Sequence, residues 1–399
     1  MNEQITYLLS AAAIRERTNK LYELTKEGKT NFELHEEKLP EVASYVLDVI
    51  KDNYPTLEIP FHSRWGHFQV GSIDRNSKLD EKLSSVDPIE KARTKLDLVI
   101  TSVLLDAGAG PTWSFDEDGT KFNRSEGLGV ASWHMFMNGA FSSSDALKAD
   151  ATTLQSITGS DIEKAFQVSD SNPLVGVDGR ASLLCALGKC IASKPEVFKD
   201  GRPGNIIDHM IATKGMKFEA EDLLKAVLYN FGDIWPSRIN VDGINLGDVW
   251  NHPLLGEKDD LNSLVPFHKL SQWLTYSLVE PIEEAGVVVH SASKMTGLAE
   301  YRNGGLLIDT GLISLRDNSL MDVAHKPDSN VIIEWRALTI VMLDKIADIV
   351  RDTLGFSNED FPLAKVLEGG TWWAGRKAAK AKREDSSPPL KLDSDGTVF

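Results

Sequence analysis

The chain of 399 residues is poor in cysteine: it has only Cys185 and Cys190, five positions apart in an apolar stretch. Neither a disulfide framework nor a zinc site has this spacing. We therefore expect both to be buried thiols of a reducing compartment. No apolar stretch approaches the length of a membrane span, and the first residues carry no signal-peptide pattern. The sequence thus predicts a cytoplasmic protein that does not associate with membranes.

Basic side chains are fewer than acidic ones. Lys and Arg together number 43 against 59 Asp and Glu, which gives a formal net charge of -16. Binding to a nucleic-acid backbone needs a basic surface that releases counterions, so nucleic acid is excluded as the main partner. A small anionic ligand remains compatible with this charge if a few Arg and Lys side chains converge locally.

Several catalytic motifs are absent. The sequence has no Gly-x-Ser-x-Gly elbow, and the loop at 106–113 lacks both the Walker lysine and the Rossmann glycine spacing. His62 and His67 are five residues apart, which does not match the i,i+4 pair of a helical metal site. The chain therefore shows no motif for serine-nucleophile or P-loop chemistry, and the predicted site requires no metal and no cofactor.

Helical periodicity dominates, whereas the pattern for strands is sparse. A short strand pair is expected from 287–289 and 306–308. The fold class is predicted to be mainly α with at most a small β-hairpin. Residues 1–381 are predicted to form a single large helical domain, or two lobes around a cleft, and 382–399 an extended C-terminal tail. Helices are predicted at 4–27, 37–53, 88–106, 160–166, 180–193, 204–213, 219–231, 266–284 and 329–354.

The predicted helix at 266–284 carries two different faces. One is an apolar stripe, and the other collects Lys269, Trp273, Tyr276 and Glu280 at helical spacing. A solvated polar face is one interpretation of the second set. Two large aromatic side chains are unusual on such a face, which favours a surface that binds a ligand.

The segment Glu300–Gly305 places an acid, an aromatic residue and a base before two glycines. Its pattern predicts a turn that allows close approach to a ligand. The acid and the base could form a simple surface ion pair, or a carboxylate at a reacting carbon beside an anion-binding guanidinium. Further on, Glu334 and Arg336 lie in an almost wholly apolar helix and need partners there. They could pair structurally, take part in catalysis, or orient Arg302 and Glu300.

Taken together, several segments resemble the uracil-catabolism protein 4 family over nearly the whole chain. The segments are Arg64–Phe68, Asp106–Trp113, Phe267–Leu278, Glu300–Gly305 and Ser394–Phe399. Members of that family accompany a uracil phosphoribosyltransferase and a ring-opening enzyme similar to GTP cyclohydrolase II. The resemblance implies that UMP is ring-opened to a ribosylurea-type phosphate, from which urea must be released. It also implies association with the other enzymes of uracil catabolism.

A second resemblance bears on the mechanism. Queuosine-phosphate glycosidases of the queuosine-salvage family carry motifs similar to Phe267–Gln272, Glu300–Arg302 and Glu334–Arg336, in the same order. Those enzymes are helical, similar to helix-hairpin-helix DNA glycosylases, and cleave an N-ribosidic bond. This chain departs from them in having Glu300 where they have Asp, and Asn303-Gly304 where they have Val-Pro.

These resemblances imply that this chain has a helix-hairpin-helix glycosylase-like helical fold. They also imply an N-glycosidase that releases urea and ribose 5-phosphate from a ribosylurea 5-phosphate or a close ring-opened UMP product. Glu300 is the predicted carboxylate at the reacting carbon and His268 the predicted proton donor. The residues predicted to bind the sugar-phosphate substrate are Lys269, Gln272, Trp273, Tyr276, Tyr301, Arg302, Asp309, Arg64, Trp65 and His67.

Two other functions are compatible with the same residues. One is a metal-dependent amidohydrolase acting on the ureido group, with His62, His67 and His290 or Asp106 as ligands. The other is a non-catalytic helical partner of the ring-opening enzyme.

Overall fold

The computed structural model describes residues 3–106, 108–144, 146–235, 239–258 and 260–393. The terminal segment Ser394–Phe399, which contributed to the family resemblance, lies outside the described residues, as does Ala107 of the loop at 106–113. Residues 394–399 of the predicted C-terminal tail are likewise outside them.

Helices account for most of the regular structure. In chain order they are α1 (Glu3–Leu8), α2 (Ala11–Lys26), α3 (Leu39–Asn53), α4 (Arg75–Lys82), α5 (Pro88–Leu104), α6 (Arg124–Met137), α7 (Ala151–Ser156), α8 (Gly159–Ala165), α9 (Val177–Ala192), α10 (Ile206–Lys214), α11 (Ala220–Phe231), α12 (Lys269–Glu284), α13 (Tyr301–Asp309), α14 (Asn330–Leu354), α15 (Leu363–Val366) and α16 (Trp372–Lys382).

Strands are short and occur only in pairs within the described ranges. They are β1 (Phe32–Leu34), β2 (Ser114–Glu117), β3 (Thr120–Asn123), β4 (Lys217–Glu219), β5 (Asn240–Val241), β6 (Ile244–Asn245), β7 (Val249–Asn251), β8 (Leu264–Pro266), β9 (Val288–His290), β10 (Ile313–Leu315), β11 (Ala324–His325) and β12 (Lys391–Leu392). The pairs β1–β10, β2–β3, β5–β6 and β7–β8 are antiparallel. The pairs β4–β9 and β11–β12 are parallel.

The predicted mainly α fold is confirmed, and one predicted strand is wrong. Residues 306–308 belong to helix α13, not to a strand. The strand predicted at 287–289 does form, as Val288–His290, but it pairs with Lys217–Glu219. A run of three apolar residues does not distinguish a buried helix from a strand, which explains the error.

The helix predicted at 4–27 is divided in two. Ser10 has extended backbone angles between α1 and α2, and its hydroxyl accepts a hydrogen bond from Ala13 N at 3.2 Å. The same hydroxyl donates to the carbonyl oxygen of Tyr7 at 2.6 Å. Ser10 is therefore the N-cap of α2, a role that serine fills well because its side chain replaces a missing helical acceptor.

The chain divides into two compact units, each described separately below. Unit 1 comprises the described residues of Met1–His62, Ser237–Gln272 and Ser291–Phe399. Unit 2 comprises those of Ser63–Pro236 and Trp273–His290. The boundary at 272/273 falls inside α12.

Helix α14 is the centre of unit 1. Its residues from Val331 to Leu343 are all buried, and it packs against α2, α3 and α13. Burial on every side explains why its sequence is apolar nearly all round. The core also includes β7, β8 and the start of α12, and its buried residues are Ile14, Leu21, Trp250, Val265, Phe267, Ala299, Ile333, Ala337 and Ile340.

In unit 2, α5 is the most deeply buried helix. Twelve of its residues are buried, including the charged Lys95 and Asp97. Helix α7 packs against α9, and α5 contacts α6, α9 and α10. Asp97 accepts hydrogen bonds from Arg202 Nε at 2.9 Å and from Gly204 N at 2.7 Å, so its buried charge has matching donors.

We predict that Gly375→Ala destabilises the protein. A Cβ atom at this position of α16 would lie 2.2 Å from the carbonyl oxygen of Arg302 in α13, so the two helices would have to separate. Overpacking of this kind costs about 1–3 kcal/mol. The free energy of unfolding, measured by urea denaturation, should fall by this amount.

The matched control is Gly179→Ala. Gly179 lies inside α9 and has open space around its would-be Cβ atom. Since alanine has the higher helix propensity, this variant should be unchanged or more stable by up to about 1 kcal/mol. Equal losses in both variants would contradict close packing of α13 against α16.

Candidate active site

Glu300 is the N-cap residue of α13. Its carboxylate accepts hydrogen bonds from Arg302 N at 2.9 Å and from Asn303 N at 2.7 Å, and the residue is only 7% exposed. The predicted turn at Glu300–Gly305 is therefore the first turn of a helix. A helix N-terminus offers unpaired N–H groups and a dipole that favours an anion, so the carboxylate is held in one orientation.

Asn303 leaves one buried polar atom without a partner. Its side-chain Nδ2 donates to the carbonyl oxygen of Leu298 at 3.2 Å. Its Oδ1 is buried and has no hydrogen-bond partner among the described residues. Buried acceptors are nearly always satisfied, so an unpaired amide oxygen one turn from Glu300 indicates a place for a water or ligand donor.

The C-terminal segment contacts α13. Arg302 Nη1 donates to the carbonyl oxygen of Ser386 at 2.8 Å, and its guanidinium lies 4.9 Å from the ring centroid of Tyr301. Asp309 forms a bidentate pair with Arg383 at 2.7 and 2.6 Å. Asp309, which was predicted to bind substrate, thus holds the C-terminal segment in place. The guanidinium of Arg302 has N–H groups other than the one that is bonded to Ser386.

Asp248, which the sequence analysis did not select, organises the start of α12. Its backbone oxygen accepts from Phe267 N at 2.9 Å and His268 N at 3.3 Å, and its carboxylate from Lys269 N at 3.0 Å. The same carboxylate is paired with Arg336 at 2.7 Å through both guanidinium Nη atoms. No sequence signal indicates this pair, because its members are 88 residues apart.

The Asp248–Arg336 pair determines the ionisation of the acid. Burial alone would raise the pKa of Asp248, but the charge and hydrogen bonds of Arg336 outweigh it and lower the pKa to about 2. Arg336 Nε also donates to the carbonyl oxygen of Ala299 at 3.3 Å. Arg336 therefore links Asp248 to the residue that precedes Glu300, which gives it a positioning role.

Glu334 binds different partners. Its carboxylate accepts from Asn31 N at 2.8 Å, from Asn31 Nδ2 at 2.9 Å and from His252 Nε2 at 3.2 Å. Of the interpretations given to Glu334 and Arg336, these contacts favour structural pairing for Glu334.

His268 is buried at the beginning of α12. Its Nε2 donates to the carbonyl oxygen of Leu8 at 2.9 Å, and its backbone φ is +47°, a value that non-glycine residues rarely adopt. Burial lowers the pKa of His268 below its ordinary value despite that hydrogen bond. The neutral ring has its proton directed at Leu8, so this placement favours a structural role, and proton donation by His268 remains a prediction.

Gln272 connects the first turn of α12 to the segment before Glu300. Its Oε1 accepts from Thr296 N at 3.1 Å and from Thr296 Oγ1 at 2.9 Å, and its Nε2 donates to the carbonyl oxygen of Phe267 at 3.2 Å. In unit 1 the structure therefore brings together the α12 start, the 296–300 segment and α13.

Unit 2 contains a second group of predicted residues around Arg64, which is fully buried. Its Nε donates to Ser102 Oγ at 2.7 Å, and its Nη1 donates to His67 Nδ1 at 3.1 Å and forms an ion pair with Asp106 at 3.0 Å. The guanidinium carbon lies 5.7 Å from the ring of Trp273. We refer to Arg64, His67, Ser102, Asp106 and Trp273 as the Arg64 cluster.

Three of the aromatic residues predicted to bind substrate are buried, whereas Tyr301 is partly exposed. Trp65 is 6%, Trp273 6% and Tyr276 1% exposed, so this face of α12 is not a solvated polar surface. Trp65 Nε1 donates to the carbonyl oxygen of Ser277 at 2.9 Å, which fixes the segment Arg64–Phe68 to the second half of α12.

A pocket of about 680 Å³ in unit 2 lies outside the predicted residues. It is lined in part by Phe115, Glu117 and His134. Glu117 accepts from His134 Nε2 at 2.6 Å and from Arg75 Nε at 3.1 Å. The Asp-Gly pair at 118–119, which closes the β2–β3 hairpin, is the sequence signal that could have located this region.

The residues proposed as metal ligands in the alternative function have other partners. His62 Nδ1 is hydrogen-bonded to Glu368 at 2.7 Å, and Asp106 is paired with Arg64. Across the part of the chain that the structure describes, no three His, Cys, Asp or Glu side chains are grouped as a metal site. In the same described ranges, no helix has the length and apolar character needed to span a bilayer.

Fold and site together define a mainly α-helical protein with a buried, helix-capping carboxylate and a buried carboxylate–guanidinium pair that supports it. The chain belongs to a family described as "Protein of unknown function (DUF1688)", which matches residues 7–399. It is 37% identical over 440 residues to Uracil catabolism protein 4 of Lachancea kluyveri, with 100% of both chains covered. It is 39% identical over 414 residues to Protein urg3 of Schizosaccharomyces pombe, covering 100% of this chain and 99% of the relative. The predicted family is thereby confirmed.

We predict that Asp248→Asn lowers the free energy of unfolding by about 3–5 kcal/mol, because buried Arg336 would lose the carboxylate that is paired with both of its Nη atoms. The exposed pair of Asp52 and Lys377, 3.4 Å apart, supplies the control. Asp52→Asn should change stability by about 1 kcal/mol or less. Similar losses in the two variants would contradict the importance of the buried pair.

The same pair predicts a pH dependence. The folded-state pKa of Asp248 is about 2, below the ordinary value near 3.9, so its contribution is present above pH 4 and is lost as the pH falls towards 2. Denaturation curves between pH 2 and 6 should show a steeper loss in the wild type than in Asp248→Asn. Parallel pH profiles would contradict the lowered pKa.

Proposed function

We propose that the protein acts in uracil catabolism and hydrolyses the N-glycosidic bond of a ribosylurea 5-phosphate, releasing urea and ribose 5-phosphate. The name of the Lachancea relative, Uracil catabolism protein 4, supports the pathway. One observation carries the reaction: the buried carboxylate of Glu300 is fixed by two backbone N–H groups, three residues before Asn303, whose amide oxygen is buried and unpaired among the described residues.

The chemistry requires such a carboxylate. Cleavage of an N-ribosidic bond develops positive charge on the anomeric carbon and the ring oxygen, and a preorganised anion stabilises that charge. A water oxygen then bonds to the anomeric carbon while the C–N bond breaks and its electron pair leaves with the urea nitrogen. The proton that the water loses passes by way of Glu300 to that nitrogen, so the products are urea and ribose 5-phosphate. Glu300 stabilises the cation and accepts the proton of the attacking water.

The unpaired Oδ1 of Asn303 suits the same water. A water needs acceptors for both of its protons if its lone pair is to face the sugar carbon. Glu300 supplies one acceptor and Asn303 Oδ1 the other. Both side chains lie in the first turn of α13, so their relative position is set by the helix rather than by a loop.

Cationic groups near α13 and α12 suit the phosphate. Arg302 uses one guanidinium N–H on Ser386 and has others, and Lys269 stands at the first position of α12. Guanidinium and ammonium groups are the usual partners of phosphate oxygens.

We predict that Glu300→Gln strongly slows urea release from ribosylurea 5-phosphate. The amide has the size of the carboxylate and can still accept one N–H, so the helix cap is largely retained while the negative charge is lost. Removing the charge should lower kcat by about 100-fold or more. Urea and ribose 5-phosphate are followed by mass spectrometry with the purified protein.

Asp150→Asn is the control, because Asp150 is also a 7% exposed N-cap carboxylate that accepts a backbone N–H, at 2.9 Å from Thr153. This variant should lose stability but keep its turnover. Wild-type urea release by a folded Glu300→Gln protein would refute the proposed mechanism. Absence of turnover by the wild-type protein would refute the proposed reaction.

A further inference from the structure

Arg64 has one nitrogen without an acceptor. The residue is fully buried, and its Nη2 has no hydrogen-bond partner in the described part of the chain. A buried guanidinium N–H that lacks an acceptor costs about 1–3 kcal/mol or more, since a group bonded to water in the unfolded chain is left unpaired. Such an atom is uncommon in a folded protein and calls for an acceptor from outside the chain.

The rest of this guanidinium is held in a fixed position. Arg64 Nε donates to Ser102 Oγ, which is 2.6 Å from Ser132 Oγ, and Ser132 in turn donates to the carbonyl oxygen of Gly129 at 2.9 Å. A Cβ atom on Gly129 would lie only 2.9 Å from His67 Cβ, so the glycine makes room for His67, whose ring nitrogen accepts from Arg64. The unpaired Nη2 is therefore not a consequence of a loosely placed side chain.

Arg75 shows how a purely structural arginine is satisfied in the same unit. It is also fully buried, and its Nε and Nη2 both donate to Glu117. Its Nη1 donates to the carbonyl oxygens of Phe68 and Val70 at 3.1 and 3.0 Å. Every nitrogen of Arg75 has an acceptor, whereas Arg64 lacks one for Nη2 in an equally buried position.

The charges around Arg64 decide which kind of acceptor fits. Asp106 forms an ion pair with Arg64 at 3.0 Å, and the field of Glu126 also acts on it. Arg180 is the other cation that interacts with Asp106 and Arg64. The charges of Arg64 and Arg180 are thus balanced by two carboxylates, and the net charge of the group is near zero. A doubly charged phosphate would be repelled by Asp106 and Glu126, with no excess positive charge to offset the repulsion. A neutral oxygen meets no such repulsion.

We propose that Arg64 Nη2 binds the carbonyl oxygen of a neutral ureido or amide group, with the indole of Trp273 beside it. A ureido group is planar and has a strong carbonyl acceptor, which suits a flat aromatic surface and a guanidinium donor. The choice of a ureido group as the ligand rests on the proposed reaction; the need for a neutral acceptor does not. Arg64 would thus recognise the part of a substrate that carries no charge.

The experiment compares two ligands that share a methyl reporter. N-Methylurea supplies a neutral carbonyl and methylphosphonate an anion, and saturation-transfer difference NMR detects weak binding of either to the full-length protein. We expect wild-type protein to bind N-methylurea. We expect Arg64→Lys, which keeps the charge but loses Nη2, to bind it roughly 10- to 100-fold more weakly.

Arg75→Lys is the matched control, since it alters an equally buried guanidinium with no unpaired nitrogen. It should lose stability but keep its affinity for N-methylurea. If Arg64→Lys does not fold, a crystal structure of the wild-type protein with N-methylurea decides the matter by the distance from the carbonyl oxygen to Arg64 Nη2.

Three results would overturn the proposal: equal affinity of the two variants, methylphosphonate binding that depends on Arg64, or no binding of N-methylurea by the wild-type protein. Urea release is not measured in this experiment. Binding at Arg64 without turnover would refute the proposed reaction alone, and turnover without binding at Arg64 would refute this inference alone.

Discussion

The buried pair of Asp248 and Arg336 is the interaction on which the candidate active site of unit 1 depends. Asp248 holds three successive backbone N–H groups at the start of α12, and Arg336 reaches from α14 to Asp248 and to the carbonyl oxygen of Ala299. One ion pair therefore fixes both the α12 start and the segment that leads to Glu300. A buried ion pair adds little stability by itself. It does restrict the fold, because burying one of the two charges without the other is strongly unfavourable.

Glu300 combines a structural role with the proposed chemical one. As the N-cap of α13 it satisfies two backbone donors, so its position is set by the helix and not by substrate. A preorganised carboxylate needs no reorganisation when positive charge develops on a sugar, which is the condition for efficient electrostatic stabilisation. The close contact of Gly304 with Trp335 in α14 fixes the orientation of α13 as well.

The long amphipathic helices were predictable from sequence, and the long-range pairing was not. Helices α3, α5 and α14 begin and end within two residues of the predictions, because many apolar positions at helical spacing define them. The start of α13 was missed, since glutamate is not among the strongly preferred N-cap residues. Asp248 was missed because the residues around it in the sequence form a polar loop. They do not indicate that its carboxylate pairs with Arg336, 88 residues away.

Burial alone does not distinguish a structural arginine from one that binds a ligand. Arg64 and Arg75 are both fully buried in unit 2, and both have a carboxylate partner. The difference lies in how many donors have acceptors: each nitrogen of Arg75 has one, while Nη2 of Arg64 has none. An unpaired buried N–H group lowers the free energy of unfolding. A ligand that brings an acceptor to the fixed Nη2 of Arg64 would remove this cost. The sequence motif pointed to Arg64. Only the hydrogen bonds of its individual nitrogens distinguish it from Arg75.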